Sequence, residues 1–210
     1  MTDAAPFGRG RLRRLFGLDR SGPKPSVTRR GQPLHPFTIP NLVGYIRLAG
    51  IPVFLYLALS SSDGRTAASA ILYLAIAGSD YLDGFLARVT GQYSRMGALL
   101  DPLVDRLTVL AGVVVCWKFE LLPRWALAIL AAREVVTVIV AQVGLRRGLD
   151  LEINWVGRWS VWLTMGGIFL ALVTAAWIAP AMFFAGLVGS LLASALYVRT
   201  GLAAMRRQEK

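Results

Sequence analysis

Four aspartates stand at short, regular spacings in this sequence: Asp80 and Asp83 are three residues apart, Asp101 and Asp105 four. On a helix of 3.6 residues per turn, either spacing puts both carboxylates of a pair on one face. The surrounding runs are apolar, and a charged side chain at mid-bilayer costs about 2.5–3.5 kcal/mol on insertion scales. Four idle acids there would be heavily penalised, so something must offset them. Carboxylates on facing helices repel unless cations lie among them, and oxygen-only ligation suits hard ions such as Mg²⁺ or Mn²⁺, with room for two. Gly84, Ala87 and Gly97 share these two segments. Small residues there leave space for a substrate such as a nucleotide diphosphate to approach the backbone, or they let membrane helices pack closely; both readings stand.

The elements that must position these residues follow from composition. With 55% hydrophobic and only 17% charged residues, the 210-residue chain is too apolar for an ordinary soluble domain. Apolar segments near 41–60, 66–88, 95–117, 123–144, 158–177 and 180–199 are each about long enough for a helical bilayer crossing. Breaks fall at Ser60 to Gly64, Arg88 to Arg95, Lys118 to Pro123, Arg146 to Asn154 and Ala179-Pro180. The expected fold is all-α and integral to the membrane: six transmembrane helices in one bundle, the second and third joined by a short turn that brings both aspartate pairs together. Lone Cys116 and lone His35 can build neither a disulfide nor a zinc site within the chain, and neither is assigned chemistry.

The formal net charge of +11 could point to nucleic acid, but its distribution follows membrane topology instead. With the amino terminus in the cytoplasm, most of the 23 Arg/Lys fall in cytoplasmic segments. Arg65, Lys118 and Arg124 face outward, and Arg47, Arg106 and Arg133 lie inside helices. Both termini are therefore expected in the cytoplasm. Residues 1–37 read as a basic, mobile cytoplasmic tail whose partner is anionic lipid, 38–200 as the six-helix domain, and 201–210 as a second basic cytoplasmic tail. The first apolar run begins too late for a cleaved signal peptide, so the first span is expected to stay.

Together the residues spell Asp80-x2-Asp83-Gly84-x2-Ala87-Arg88-x8-Gly97-x3-Asp101-x3-Asp105. This resembles, without a departure, the signature of the CDP-alcohol phosphotransferase family, and the six-span layout extends the likeness over about residues 38 to 200. The resemblance implies a metal-dependent phosphatidyltransferase in which Asp80, Asp83 and Asp101 are metal ligands and Asp105 is both a ligand and the catalytic base that deprotonates the acceptor hydroxyl, with CMP leaving. It also implies that Gly84, Arg88, Ser94 and Gly97 contact the CDP-linked lipid. At the first span, Ile39-Pro40-Asn41-Leu42 with Arg47 is similar to the phosphatidylglycerolphosphate and cardiolipin synthase branch, which places Asn41 at the nucleotide pocket. Gly44 stands where that branch is expected to carry Thr, and Arg47 has a second reading, snorkelling to the cytoplasmic headgroups.

The acceptor rests on arginines. Arg133-Glu134 resembles the Ala-Arg-Glu segment of phosphatidylglycerolphosphate synthases, with pairing between the two as the other reading. Arg146, Arg147 and Arg158 could receive the phosphate of glycerol 3-phosphate, or serve as topology signals and headgroup anchors. The resemblance favours CDP-diacylglycerol as donor and glycerol 3-phosphate as acceptor. The segment from Ser94 to Arg106 also looks like actinobacterial cardiolipin synthases, for which the acceptor is phosphatidylglycerol; phosphatidylinositol-phosphate synthases fit less well. Outside this family, a divalent-cation transporter would use the same carboxylates as a translocation site, and a catalytically idle partner subunit is a third reading. The family often forms homodimers. Trp155, Trp159 and Trp162 read as an interface or, better, as an aromatic belt.

Overall fold

The structure, a computed structural model, describes residues 35–90, 94–146 and 155–208. Among these residues the regular structure is entirely helical: α1 (Ile39–Leu59), α2 (Ala67–Thr90), α3 (Arg95–Lys118), α4 (Arg124–Arg146), α5 (Trp155–Val173) and α6 (Ile178–Gln208). Four of the six expected segments agree with their helices to within two residues at each end. The fifth does not, because Thr174 turns the chain early: its N–H closes on Leu170 O at 2.8 Å and its hydroxyl accepts from Ala176 N at 3.2 Å. Pro180 then sits in the first turn of α6, where its missing N–H costs nothing. Helix α6 runs on to Gln208, through most of the expected tail 201–210, since Ala, Leu, Met and Arg there are good helix formers.

Among the described residues, two helices are long and apolar enough to cross a membrane, α1 over its whole length and α6 over Ile178–Leu196. Shorter apolar stretches cover Ala67–Leu82 and Gly157–Val173. Helix α3 carries Arg95, Asp101, Asp105 and Arg106 along its length, and α4 carries Arg124, Arg133 and Glu134.

The chain divides into two compact units, one holding residues up to Val53 with Ala75–Thr108, the other Phe54–Leu74 with all that follows Val109. In the first, Thr38 and Ser94 cap the starts of α1 and α3. Asn41 N lies 3.4 Å from Thr38 Oγ1 and Gly97 N donates to Ser94 Oγ at 2.9 Å, each satisfying an orphan donor of a first turn. Ile51, Ile76, Leu100 and Val104 form its apolar core.

In the second unit, α5 and α6 pack backbone against backbone. A Cβ on Gly167 would lie 2.5 Å from Phe183 N, and one on Gly186 only 2.4 Å from Thr164 N, so only glycine permits this approach. Tyr73 and Phe54 meet at 5.2 Å between ring centroids. The three cations expected to face outward each close a helix end. Lys118 Nζ donates to Leu59 O at 3.1 Å, Arg65 Nε to Ala171 O at 3.1 Å and Arg124 Nε to Trp117 O at 3.4 Å. These acceptors are carbonyls of the last turns of α1, α5 and α3, which lack intrahelical donors and carry the negative end of the helix dipole.

Candidate active site

The first unit holds the aspartates. Asp80 and Asp83 lie on α2, Asp101 and Asp105 on α3, and the structure joins the two helices through α1. Arg47 of α1 donates from Nη1 to Asp80 Oδ1 at 3.3 Å and from Nη2 to Asp105 Oδ1 at 2.6 Å. Its Nε donates to Ile76 O at 3.1 Å, one turn before Asp80. The arginine side chain is 2% exposed, whereas the two carboxylates are 48% and 37% exposed. The snorkelling reading of Arg47 is therefore wrong: the guanidinium finds carboxylates and a carbonyl within the protein and has no need of headgroups. The signal was present in the sequence as a charge inside an apolar helix, but its partners lie 33 and 58 residues away.

Asp101 is half-buried one turn before Asp105. Asp83, Gly84 and Arg88 lie on α2, but their side-chain surroundings are outside the described part. Among the described residues, no three His, Cys, Asp or Glu side chains form a group that could hold a metal. The donor set nonetheless suits a hard cation: two carboxylates from different helices already converge on one positive group, and only oxygen is offered.

Three of the expected CDP-lipid residues come together as one clasp. Asn41, 1% exposed, donates from Nδ2 to His35 O and Pro36 O at 3.0 Å each. Its Oδ1 accepts from Ser94 Oγ at 2.8 Å, and Ser94 Oγ in turn accepts from Gly97 N. Tyr45 Oη adds a 3.3 Å bond to Pro36 O. A Cβ on Gly97 would lie 2.8 Å from Asn41 Oδ1, so this glycine makes room for the asparagine amide. Sequence reasoning named all three residues but not their mutual bonding. At Gly44, Leu100 fills the space: a Cβ there would meet Leu100 Cδ2 at 2.5 Å. A threonine there would require the end of the Leu100 side chain to shift.

The acceptor candidates belong to the second unit. Arg133 pairs with Glu134 and donates from Nε to Ser194 Oγ at 3.0 Å, so the pairing reading is realised in a mostly buried cluster. Arg158 is exposed at the start of α5. Arg146 ends α4, with its side chain outside the described part, and Arg147 lies outside the described residues altogether.

Comparison with known proteins places this geometry. The chain is similar to a Streptomyces coelicolor protein named cardiolipin synthase (CMP-forming), 40% identical over 149 residues, 68% of this chain and 69% of that protein. It is also similar to a putative cardiolipin synthase of Mycobacterium bovis, 35% identical over 58% of this chain and 57% of the relative, so it spans little more than half of that protein. The CDP-diacylglycerol--glycerol-3-phosphate 3-phosphatidyltransferase of Bacillus subtilis is 30% identical over 60% of this chain and 72% of the relative. The family model described as CDP-alcohol phosphatidyltransferase matches residues 37–196, a span that contains the whole aspartate signature and the Asn41 clasp, and the chain belongs to that family.

Proposed function

We propose that this protein transfers the phosphatidyl group of CDP-diacylglycerol to the hydroxyl of a glycerol-bearing acceptor and releases CMP. The observation that carries the reading is the convergence of Asp80 and Asp105, from the two halves of an intact family signature, on one buried cation. Asp105 is the base. Its carboxylate takes the proton of the acceptor hydroxyl as the oxygen attacks the β-phosphorus, and the bond from that phosphorus to CMP breaks. Asp80, Asp83, Asp101 and Asp105 would hold Mg²⁺ or Mn²⁺, two ions in all, which when bound supplies positive charge for the diphosphate and the leaving oxygen. Arg88 offers a planar fork of donors to a phosphate oxygen, and Gly84 leaves room beside it. Asn41, Ser94 and Gly97 shape the nucleotide end of the site through the clasp.

The acceptor is glycerol 3-phosphate or phosphatidylglycerol. The name of the Bacillus subtilis relative supports the first. The second is favoured by the higher identity, 40% against 30%, to the Streptomyces coelicolor protein named as a cardiolipin synthase. Arg146, Arg147 and Arg158 would bind an acceptor phosphate, with Arg133, paired with Glu134, in the same role. The distribution of Arg and Lys supports a multi-pass protein of the cell membrane with six spans, both termini and the site on the cytoplasmic side, and lipid as its surroundings. A homodimer is compatible with this arrangement.

The test is CMP release by the purified protein from CDP-diacylglycerol with glycerol 3-phosphate, phosphatidylglycerol or inositol phosphate, before and after chelation. Release with one glycerol acceptor, lost on chelation and restored by Mg²⁺ or Mn²⁺, is the expected result. No release with any acceptor sinks the reading, and metal flux into liposomes with CDP-lipid left intact would favour the transporter.

A further inference from the structure

The reaction above gives Arg47 no part, yet the structure invests heavily in it. A guanidinium 2% exposed, about two turns into an apolar helix, is costly to bury unless its donors are met. Here hydrogen bonds engage all three nitrogens: Nε on Ile76 O, Nη1 on Asp80 and Nη2 on Asp105. Those acceptors lie on α2 and α3, so a residue of α1 ties together the two helices that carry the signature. The direction of approach matters. Arg47 is buried while both carboxylates are partly open, and each accepts from it through Oδ1. The exposed part of each carboxylate, 48% of the Asp80 and 37% of the Asp105 side chain, is what a ligand can reach.

We infer that Arg47 is a positioning residue of the aspartate site: from below, it fixes Asp80 and Asp105 in orientation and separation, so that their exposed sides are presented together to metal and acceptor. This rests on the catalytic reading of those aspartates. The opposing account is that Arg47 merely competes with a metal for the same carboxylates. The two differ in sign. An orienting partner, when lost, weakens metal binding by about 10–100-fold; a competitor, when lost, lets metal bind tighter. Lysine discriminates further, because it keeps the charge but cannot span three acceptors with one ammonium.

The experiment uses the full chain in detergent. In chelator-treated protein, thermal unfolding of Arg47→Gln, Asp105→Asn and the double variant tests the bridge without any activity. Arg47→Gln is expected to lower the midpoint by several degrees, with Asp105→Asn restoring part of the loss in its presence; strictly additive effects overturn the bridge. Arg47→Lys carries the test where the glutamine variant does not fold. Mn²⁺ titration followed by electron paramagnetic resonance should show affinity at least about tenfold weaker in either variant. Turnover should fall about 10–100-fold with the KM for CDP-diacylglycerol within about threefold of wild type. Tighter Mn²⁺ binding, or wild-type binding and turnover in Arg47→Lys, overturns the inference, as does a raised KM at unchanged turnover. Wild-type protein that binds no Mn²⁺ and releases no CMP would refute the catalytic reading instead, while the unfolding cycle would still report on the bridge.

Discussion

Replacing Gly97 with alanine tests whether the signature glycine exists for the nucleotide or for Asn41. The added Cβ would stand 2.8 Å from Asn41 Oδ1 and 3.2 Å from Ser94 Oγ, so one of them must move by several tenths of an ångström. Neither is free to do so. Asn41 is 1% exposed and fixed by two donated bonds and one accepted, and Ser94 Oγ is held between Asn41 and Gly97 N. Relief means losing at least one buried hydrogen bond, at about 1–3 kcal/mol. The better helix propensity of alanine returns only about 1 kcal/mol, so the net loss is up to about 2 kcal/mol, which for a chain this size lowers the unfolding midpoint by up to roughly 8 °C. The decisive comparison is a cycle with Asn41→Ala, measured by thermal unfolding in detergent. With the amide gone only Ser94 Oγ is left close, at 3.2 Å, and it can shift by a few tenths of an ångström once its bond to Asn41 is lost, so Gly97→Ala should be neutral or stabilising by up to about 1 kcal/mol. A glycine kept only for substrate approach would behave otherwise. Gly97→Ala would then leave stability unchanged or raised in both backgrounds while the KM for CDP-diacylglycerol rose, and that outcome would refute the reasoning.

The remaining expectations concern chemistry and architecture. Asp105→Asn should abolish CMP release while the protein still binds CDP-lipid, whereas Asp80→Asn should weaken Mn²⁺ binding itself; equal metal affinity in the two variants would contradict the division of roles. Gly167→Ala should destabilise by about 1–3 kcal/mol or prevent folding, because its Cβ would meet the backbone of Phe183 at 2.5 Å rather than a side chain that can turn aside; wild-type stability would refute that packing. Glu120→Gly should stabilise by about 1 kcal/mol in thermal unfolding. This residue has φ 54° where α3 ends, with Leu121 N bonded to Cys116 O at 3.0 Å, a position that glycine adopts without strain. Its exposed ion pair with Arg124 contributes little in return.

What could be read in advance divides along the range of the interaction. Helix positions follow from local pattern, so α1 to α4 fall within two residues of expectation. Local pattern also misleads, as at Thr174 to Trp177, where apolar content hides a turn set by one hydroxyl. The aspartates were legible because spacing on a helix and the cost of membrane charge are both one-dimensional facts. Arg47 was visible as an anomaly but its role was not, since nothing local says whether a buried arginine will reach water, lipid or residue 105. The same limit applies to Gly97, whose neighbour Asn41 is 56 residues earlier, and to Gly44, whose neighbour Leu100 is 56 residues later.

The charges of this protein sort by what they satisfy, and this bears on how topology is counted. Arg65, Lys118 and Arg124 run against the positive-inside rule when each is scored as one charge in an outward loop. Each is bonded to a carbonyl in the last turn of a helix, where a cation is favoured whichever side it occupies. Arg47 and Arg133 are likewise bound, one to two aspartates and one to Glu134 and Ser194. These charges are accounted for by partners within the protein, whichever side of the membrane they occupy. Lys118→Gln should lower stability through the uncapped Leu59 carbonyl without altering which side of the membrane the loop after Lys118 occupies, as read by cysteine accessibility at Glu120. An inverted loop would show that Lys118 acts as a topology signal after all.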